Sequence, residues 1–169
     1  MIKVTGLTSL IKKVERKQRT LPDKVREIAT KLAEIGVSVA RIGFSTAIYD
    51  GKNDVVVNDP QWISDNTLQI VSQGNAVAFI EFGSGVHYRN DKHPLESKFG
   101  LYRGMYGFGH GKNDFWYYEG EPGTNGVPLH GAWEGWYMTQ GNPANRCLYN
   151  ASKEMRQKIL EVAQGVMKS

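Results

Sequence analysis

Several residue types are scarce in this sequence, and each shortage excludes a class of protein. Cys147 is the only cysteine among 169 residues, so no internal disulfide can form and a disulfide-held fold is excluded. The longest apolar runs, such as Val77 to Ile80, fall far short of the roughly 18 residues that cross a bilayer, so we expect no membrane contact. Met1 to Val4 lacks the basic and then apolar pattern of a secretion signal, so none is expected.

Catalytic motifs are scarce as well. Ser84 lies between two glycines, but the order Glu-Phe-Gly-Ser-Gly differs from the Gly-x-Ser-x-Gly of a nucleophile elbow. Cys147 stands on an apolar helical stripe, which favours a packed thiol over a nucleophile. We therefore expect no enzyme activity, no cofactor and no metal. The histidines follow no recognised ligand spacing: His87, His93, His110 and His130.

Aromatic residues are concentrated in one stretch, and this leaves a second function open. Residues 99–137 carry eleven of the eighteen aromatics and include Trp116, Trp133 and Trp136. Carboxylates lie among these rings, a composition seen where aromatics stack on sugars, but acids two residues apart in a glycine-rich loop have no evident way to acquire different pKa values. A carbohydrate- or cell-wall-binding module is therefore the alternative function. The carboxylates are those of Glu119, Glu121 and Glu134.

Charge is distributed unevenly along the chain. Residues 1–31 hold nine Lys and Arg against three Asp and Glu, and residues 146–169 hold five against two. The middle, residues 32–145, holds seven basic against twelve acidic residues. Such separation suggests complementary faces that could meet between subunits or attract nucleic acid, although solvated helix faces are the favoured explanation. The basic cluster between Lys12 and Arg19 could contact phosphate without reading sequence.

Hydrophobic periodicity predicts helices at both ends. Apolar residues at helical spacing predict a short helix over about residues 6–19 and a longer one from the Thr20-Leu21-Pro22 start to about residue 46. Gly36 and Gly43 weaken this helix locally and could mark the close approach of another element. A third helix is predicted over about residues 143–167, with Asn142 as its cap and Pro143 in its first position.

The region between the helices predicts strands and then a long excursion. Asp54–Asn58, Thr67–Ser72 and Asn75–Phe82 have strand composition, and Gln73-Gly74-Asn75 suits a tight hairpin between the last two. Residues 83–141 form a glycine- and aromatic-rich insertion, predicted to be largely irregular. We therefore predict one α+β domain spanning residues 1–169, with a mostly antiparallel sheet at about 54–82 packed against two or three helices.

Two separated motifs together resemble a known family. The first is Ala78-Phe79-Ile80-Glu81-Phe82-Gly83-Ser84-Gly85, which follows the helical part and its Leu21-Pro22 start. The second, Gly141-Asn142-Pro143-Ala144-Asn145-Arg146-Cys147, leads into the last helix. In this order they resemble the tail-completion, or neck, family of long-tailed double-stranded DNA bacteriophages. The resemblance leaves the region from about Tyr88 to Tyr137 unmatched, and Ser84 stands where Thr is commoner.

The resemblance implies a structural virion protein that acts at the head–tail junction. It would be made in the cytoplasm of the bacterial host, assemble as a homo-oligomeric ring and help to join capsid and tail. Its partners would be other neck, portal-adaptor or tail-tube proteins, with non-specific contact to DNA in the lumen. The residues expected at interfaces or in structural roles are Glu81, Phe82, Gly83, Ser84, Gly85, Gly141, Pro143, Arg146, Trp116, Trp133 and Trp136.

Glu81 is the most informative of these positions. An acid on an otherwise apolar segment is costly to bury without a partner. Glu81 therefore either anchors the Gly83-Ser84-Gly85 turn through its amides or pairs with an arginine of a neighbouring subunit, Arg146 being the candidate.

Overall fold

The computed structural model describes residues 7–88, 90–101 and 114–168. The chain has an α+β fold in which two long helices, α1 (Leu7–Ser45) and α4 (Cys147–Lys168), flank all the other elements in sequence. Between them come β1 (Val56–Val57), β2 (Gln61–Ser64), β3 (Thr67–Gln69), β4 (Ser72–Gln73), α2 (Val77–Phe82), α3 (Glu96–Phe99), β5 (Trp116–Glu119), β6 (Val127–Pro128), a 3-10 turn (Gly131–Trp133) and β7 (Trp136–Thr139).

The two predicted N-terminal helices are a single helix. Pro22 stands inside α1 rather than at the start of a second helix, so the predicted break at residues 19–20 is wrong. A proline removes one amide hydrogen bond, and its neighbours on both sides are largely strong helix formers such as lysine, arginine and leucine. The helix therefore continues through this position.

Helices α1 and α4 pack antiparallel and form the centre of the fold. Gly43 lies against Cys147 and Gly36 against Met155, which confirms that the two glycines mark a close approach. At the other end, Lys24 Nζ donates to the carbonyl oxygen of Val166 at 2.6 Å. Side chains of α1, α2 and α4 form the buried core together with Val57 and Ala76: Val37, Ala40, Phe44, Ile80, Cys147 and Ala151.

The strands form three small antiparallel sheets in the described part of the chain. β1 pairs with β4, β2 pairs with β3, and the third sheet has the order β5-β7-β6. β2 was not predicted, and the predicted strand Thr67–Ser72 divides between β3 and the start of β4. The hairpin predicted at Gln73-Gly74-Asn75 is wrong, because Gly74, at φ 137°, leads out of β4 toward helix α2. The adjacent antiparallel strands β2 and β3 form a hairpin instead.

Two further predictions are corrected. The segment predicted as the strand Asn75–Phe82 contains helix α2, because a short apolar run has no periodicity that separates a buried strand from a buried helix. The predicted insertion at 83–141 contains α3 and the third sheet, so its described part is more ordered than expected.

Helix α4 begins later than its sequence suggests. Pro143 precedes its first residue, Cys147, by four positions, and Asn142 does not cap it. The backbone of Asn142 is bridged to Ser84, and the amide of Asn145 donates to the carbonyl oxygen of Ile80 at 3.0 Å. These bonds hold residues 142–146 in an irregular path outside the helix.

Candidate assembly site

The two motifs lie side by side, although 58 residues separate Ser84 from Asn142 in sequence. The Ser84 amide donates to the Asn142 carbonyl at 3.0 Å, and the Asn142 amide donates to the Ser84 carbonyl at 3.1 Å. The amide of Arg146 also donates to the carbonyl of Glu81, at 3.2 Å. We call segments 80–85 and 141–149 together the motif junction.

Glu81 caps the start of helix α4. Its side chain is buried, and its two carboxylate oxygens accept from the amides of Leu148 at 2.8 Å and Tyr149 at 2.9 Å. These are the second and third residues of α4, where free amides and the helix dipole favour a negative charge. The predicted bonds to the Gly83-Ser84-Gly85 amides are thus replaced by bonds to a helix 67 residues away.

His93 completes the environment of Glu81, a role that the sequence did not predict for it. Its Nδ1 accepts from the amide of Leu95 at 3.0 Å, which assigns the proton of a neutral ring to Nε2. Nε2 then donates to Glu81 at 3.1 Å, with both side chains almost fully buried. Phe82 and Tyr149 pack against the imidazole, with centroid distances of 4.3 and 5.5 Å. No spacing in the sequence connects His93 to Glu81, so only the folded chain identifies this pair.

The glycines of the junction allow its backbone segments to touch. Gly83 has φ 79°, and a Cβ there would lie 2.8 Å from the carbonyl oxygen of Asn142. Gly85, at φ 73°, would place a Cβ 2.9 Å from the Trp116 ring, and Gly141, at φ 92°, packs on the Ser84 backbone. Both the conformation and the space therefore require glycine at these positions.

Asn142 connects the junction to the end of α1 and to the third sheet. Its Nδ2 donates to Ser84 Oγ at 2.9 Å, and its Oδ1 accepts from the amide of Asp50 at 2.7 Å. The Asp50 carboxylate accepts in turn from Thr139 Oγ1 at 2.5 Å and from the Asn125 amide at 2.8 Å. Asp50, Ser84, Thr139 and Asn142 are all buried, so this polar network holds three separate segments in a fixed relation.

Arg146 has a partner within its own chain. Its guanidinium pairs with the carboxylate of Asp91 and donates to the carbonyl of Lys92 at 3.2 Å. Asp91 also accepts from the amide of Ala144 at 3.1 Å. Arg146 itself has φ 57°, a conformation that costs energy for a non-glycine residue and that these contacts maintain. Within one chain, then, the side chains of Glu81 and Arg146 each bind other groups.

An open cleft of about 620 Å³ lies beside the junction, at the C-terminal end of α1. Trp116 lines it, whereas Trp133 and Trp136 pack edge to face against each other at 5.7 Å. Pro143 is half-buried next to the junction. The cleft combines aromatic and acidic side chains with one lysine: Trp116, Tyr117, Tyr118, Asp50, Asp54, Glu119, Glu121 and Lys52.

Burial, and then negative charge in the cleft, raise the pKa values of its tyrosines. Burial and then the charge of Asp50 raise the pKa of Tyr118 to about 12. Burial also raises the pKa of Tyr49, with Asp54 and Asp50 adding to the effect. Backbone hydrogen bonds from Asn75 and Ala76 lower the pKa of the Asp54 carboxyl, which keeps it charged.

Cys147, the first residue of α4, is buried in the core. Burial and then the nearby Glu81 charge raise the pKa of Cys147 to about 12, which keeps the thiol protonated. Residues 7–88, 90–101 and 114–168 contain no group of three or more His, Cys, Asp or Glu side chains placed to hold a metal ion.

Comparison with protein-family models, curated proteins and solved structures finds no match to this chain. None of the helices in the described ranges combines the length and apolarity that a bilayer crossing requires.

Proposed function

We propose that this protein is a structural component of the head–tail junction of a long-tailed double-stranded DNA bacteriophage. It acts as a neck or tail-completion protein, assembles as a ring and performs no catalysis. Its place is the virion, where it contacts other neck, portal-adaptor or tail-tube proteins and faces DNA in the lumen.

The motif junction is the observation that carries this proposal. The two motifs behind the family resemblance form one hydrogen-bonded unit, in which Glu81 of the first caps the helix that follows the second. Their glycines are needed where the two backbones touch. Each motif contacts the other in the fold, and this supports a single scaffold of the kind that the family resemblance implies.

The surface also favours an assembly role. Large apolar side chains are exposed at both long helices, including Val14, Leu21 and Val25 of α1 and Leu160 of α4. Exposed apolar surface marks protein interaction sites where it is contiguous. A component that becomes covered during assembly accounts for these side chains.

Interruption of the gene tests the function directly. An amber codon at an early position, introduced in the phage or prophage that carries the gene, removes the protein in a non-suppressing host. We expect DNA-filled capsids and finished tails to accumulate separately, as seen by negative-stain electron microscopy, and infectious titre to fall by several orders of magnitude. A plasmid copy of the gene should restore joined particles.

The same system distinguishes structural from catalytic roles. A plasmid copy with Glu134→Gln removes one of the loop carboxylates that a sugar-cleaving enzyme would use, and this copy should complement. Glu81→Ala, which disrupts the motif junction, should not. Joined, infectious particles in the complete absence of the protein would contradict the proposal.

A carbohydrate-binding function is the second candidate, and the cleft is the observation that favours it. Trp116 and Tyr117 offer ring faces beside the carboxylates of Glu119 and Glu121. Binding to immobilised host cell-wall fragments that Trp116→Ala removes and Trp133→Ala retains would support this function. If both variants bind the fragments equally, or if neither variant binds them, the result opposes a carbohydrate-binding function.

A further inference from the structure

The N-terminal part of α1 extends beyond its partner helix. Lys24 bonds to the Val166 carbonyl and α4 ends at Lys168, so residues before Lys24 lie past the end of α4. Each residue from Ile11 to Asp23 is exposed. We call residues 11–23 the overhang.

The overhang has an apolar stripe in a basic surrounding. Ile11, Val14 and Leu21 recur at three- and seven-residue spacings and are 48%, 56% and 46% exposed. Between Ile11 and Val25 the chain has six basic and two acidic residues. A stripe of this kind fits a partner surface that is apolar in its centre and acidic around it.

The cleft beside the motif junction has that composition. Trp116 and Tyr117 are among its lining residues, together with four carboxylates and one lysine. Glu119 and Glu121 are exposed and free to face an incoming basic segment. We call this cavity the acidic cleft.

The two surfaces lie at opposite ends of one rod. Helix α1 has 39 residues, which corresponds to about 58 Å, and the acidic cleft begins at Tyr49, just after the helix ends. One copy therefore cannot place its own straight helix start in its own cleft. A contact between two unlike surfaces joins copies head to tail, and such contacts close into rings when the rotation permits.

We propose that the overhang of one copy docks into the acidic cleft of a second copy of this chain. The proposal rests on the ring function proposed above and deepens it by naming the two contact surfaces. Side-by-side pairing of two overhangs would bring their positive charges together, which is unfavourable. Nucleic acid would neutralise the basic residues but leave the apolar stripe exposed.

Charge exchange between the two surfaces tests the contact. Lys13→Glu with Lys17→Glu reverses the overhang, where the two residues share a helix face. Glu119→Lys with Glu121→Lys reverses the cleft. Each pair alone should weaken self-association of the full chain at least about tenfold in sedimentation velocity at low salt, because like charges then meet.

The chain that carries all four substitutions is the decisive variant. Its negative overhang again faces a positive cleft, so self-association should return. Pairing of overhang with overhang predicts no such recovery, since both overhangs remain alike. As a matched control, Lys153→Glu with Glu134→Lys changes exposed charges outside both surfaces and should leave association unaltered.

Three results would overturn the contact. The chain with all four substitutions could self-associate as weakly as the two double variants. The unaltered chain could stay monomeric at its highest soluble concentration. Lys13→Glu with Lys17→Glu could abolish binding to DNA while self-association is unchanged. Circular dichroism of each variant excludes unfolding as the cause. The gene-interruption experiment measures the joining of capsids and tails without reference to this contact. Failure of the contact and failure of the proposed function are therefore distinguishable.

Discussion

At the scale of single residues, Glu81 takes the role that a local cap has in most helices. The residue before α4 is Arg146, whose side chain has no acceptor for the free amides of the first turn. Glu81 supplies the acceptors from a distant segment and also holds His93. The start of α4 is therefore fixed by a tertiary contact.

Removal of the Glu81 carboxylate should strongly lower the stability of the fold. Glu81→Ala leaves two amides and the Nε2–H of His93 buried without partners, so the free energy of unfolding should fall by about 3 kcal/mol. Glu81→Gln keeps one acceptor oxygen and should lose less. Urea denaturation followed by circular dichroism measures both, and the exposed Glu134→Ala should change stability by no more than about 0.5 kcal/mol. Equal stabilities of Glu81→Ala and Glu134→Ala would refute the capping role.

The Cys147 thiol should be unreactive in the folded protein. It is buried, and its pKa of about 12 leaves almost no thiolate at neutral pH. Titration with an aromatic disulfide at about pH 8 should give slow labelling of the native chain and one fast equivalent in denaturant. Fast labelling without denaturant would show that the thiol is accessible and ionised.

At the scale of elements, two glycines set the distance between α1 and α4. A Cβ at Gly36 would lie 2.6 Å from Met155 Sδ, and one at Gly43 would lie 3.1 Å from Cys147 Cβ. A larger residue in either place must move α4 or repack it. At Gly165, by contrast, an added Cβ would meet no other atom of the described residues within 4 Å.

The same substitution at the two kinds of glycine should therefore have opposite results. Gly43→Val should lower stability by about 1–3 kcal/mol through overpacking, because the added Cβ would lie 3.3 Å from the backbone Cα of Cys147. Gly165→Val has open space and a better helix propensity than glycine, so it should be neutral or raise stability by about 0.3 kcal/mol. Thermal or urea unfolding decides between them. Indistinguishable effects would mean that the helix contact is looser than the structure indicates.

The overhang should open independently of the rest of α1. Its residues are exposed from Ile11 to Asp23, whereas Ala33, Val37, Ala40 and Phe44 lie in the core. In hydrogen exchange with mass spectrometry, amides of the free protein between Val14 and Leu21 should exchange far faster than those between Ala33 and Phe44. Uniform protection along the whole helix would contradict this expectation.

At the scale of the whole molecule, stability should decline in alkali. Cys147 and Tyr118 both have folded-state pKa values of about 12, above their ordinary 9.0 and 10.0. A raised pKa means that the folded state disfavours the ionised thiol or phenol. The stability that these groups contribute is therefore complete below their ordinary pKa values and is lost as the pH rises through their folded-state pKa values. Unfolding free energy should fall between about pH 9 and pH 12.

Substitution of the tyrosine tests the cause of this decline. Tyr118→Phe should flatten the upper part of the pH profile relative to that of the unaltered protein. Urea midpoints at about pH 8, 10 and 11 provide the measurement. Parallel profiles for the unaltered protein and Tyr118→Phe would show that other groups cause the loss.

The α+β class was predictable because the two long helices have apolar residues at helical spacing. The importance of Glu81 was predictable too, since a lone acid on an apolar segment must find partners when buried. Its actual partners, and the pairing with His93, were not predictable from spacing. Helix α2 was mistaken for a strand because a short, largely apolar segment buries equally well in either form.

From the order of residues alone come the two amphipathic helices, the separation of charge and the two motifs, because periodicity and composition are local properties. Only the folded chain decides that the motifs meet, that Glu81 caps a helix 67 residues away, and that the overhang has no helix beside it in the described ranges. Those outcomes depend on which buried polar groups are hydrogen-bonded and which apolar faces are buried. Contacts between segments distant in sequence determine the hydrogen bonding and the burial alike.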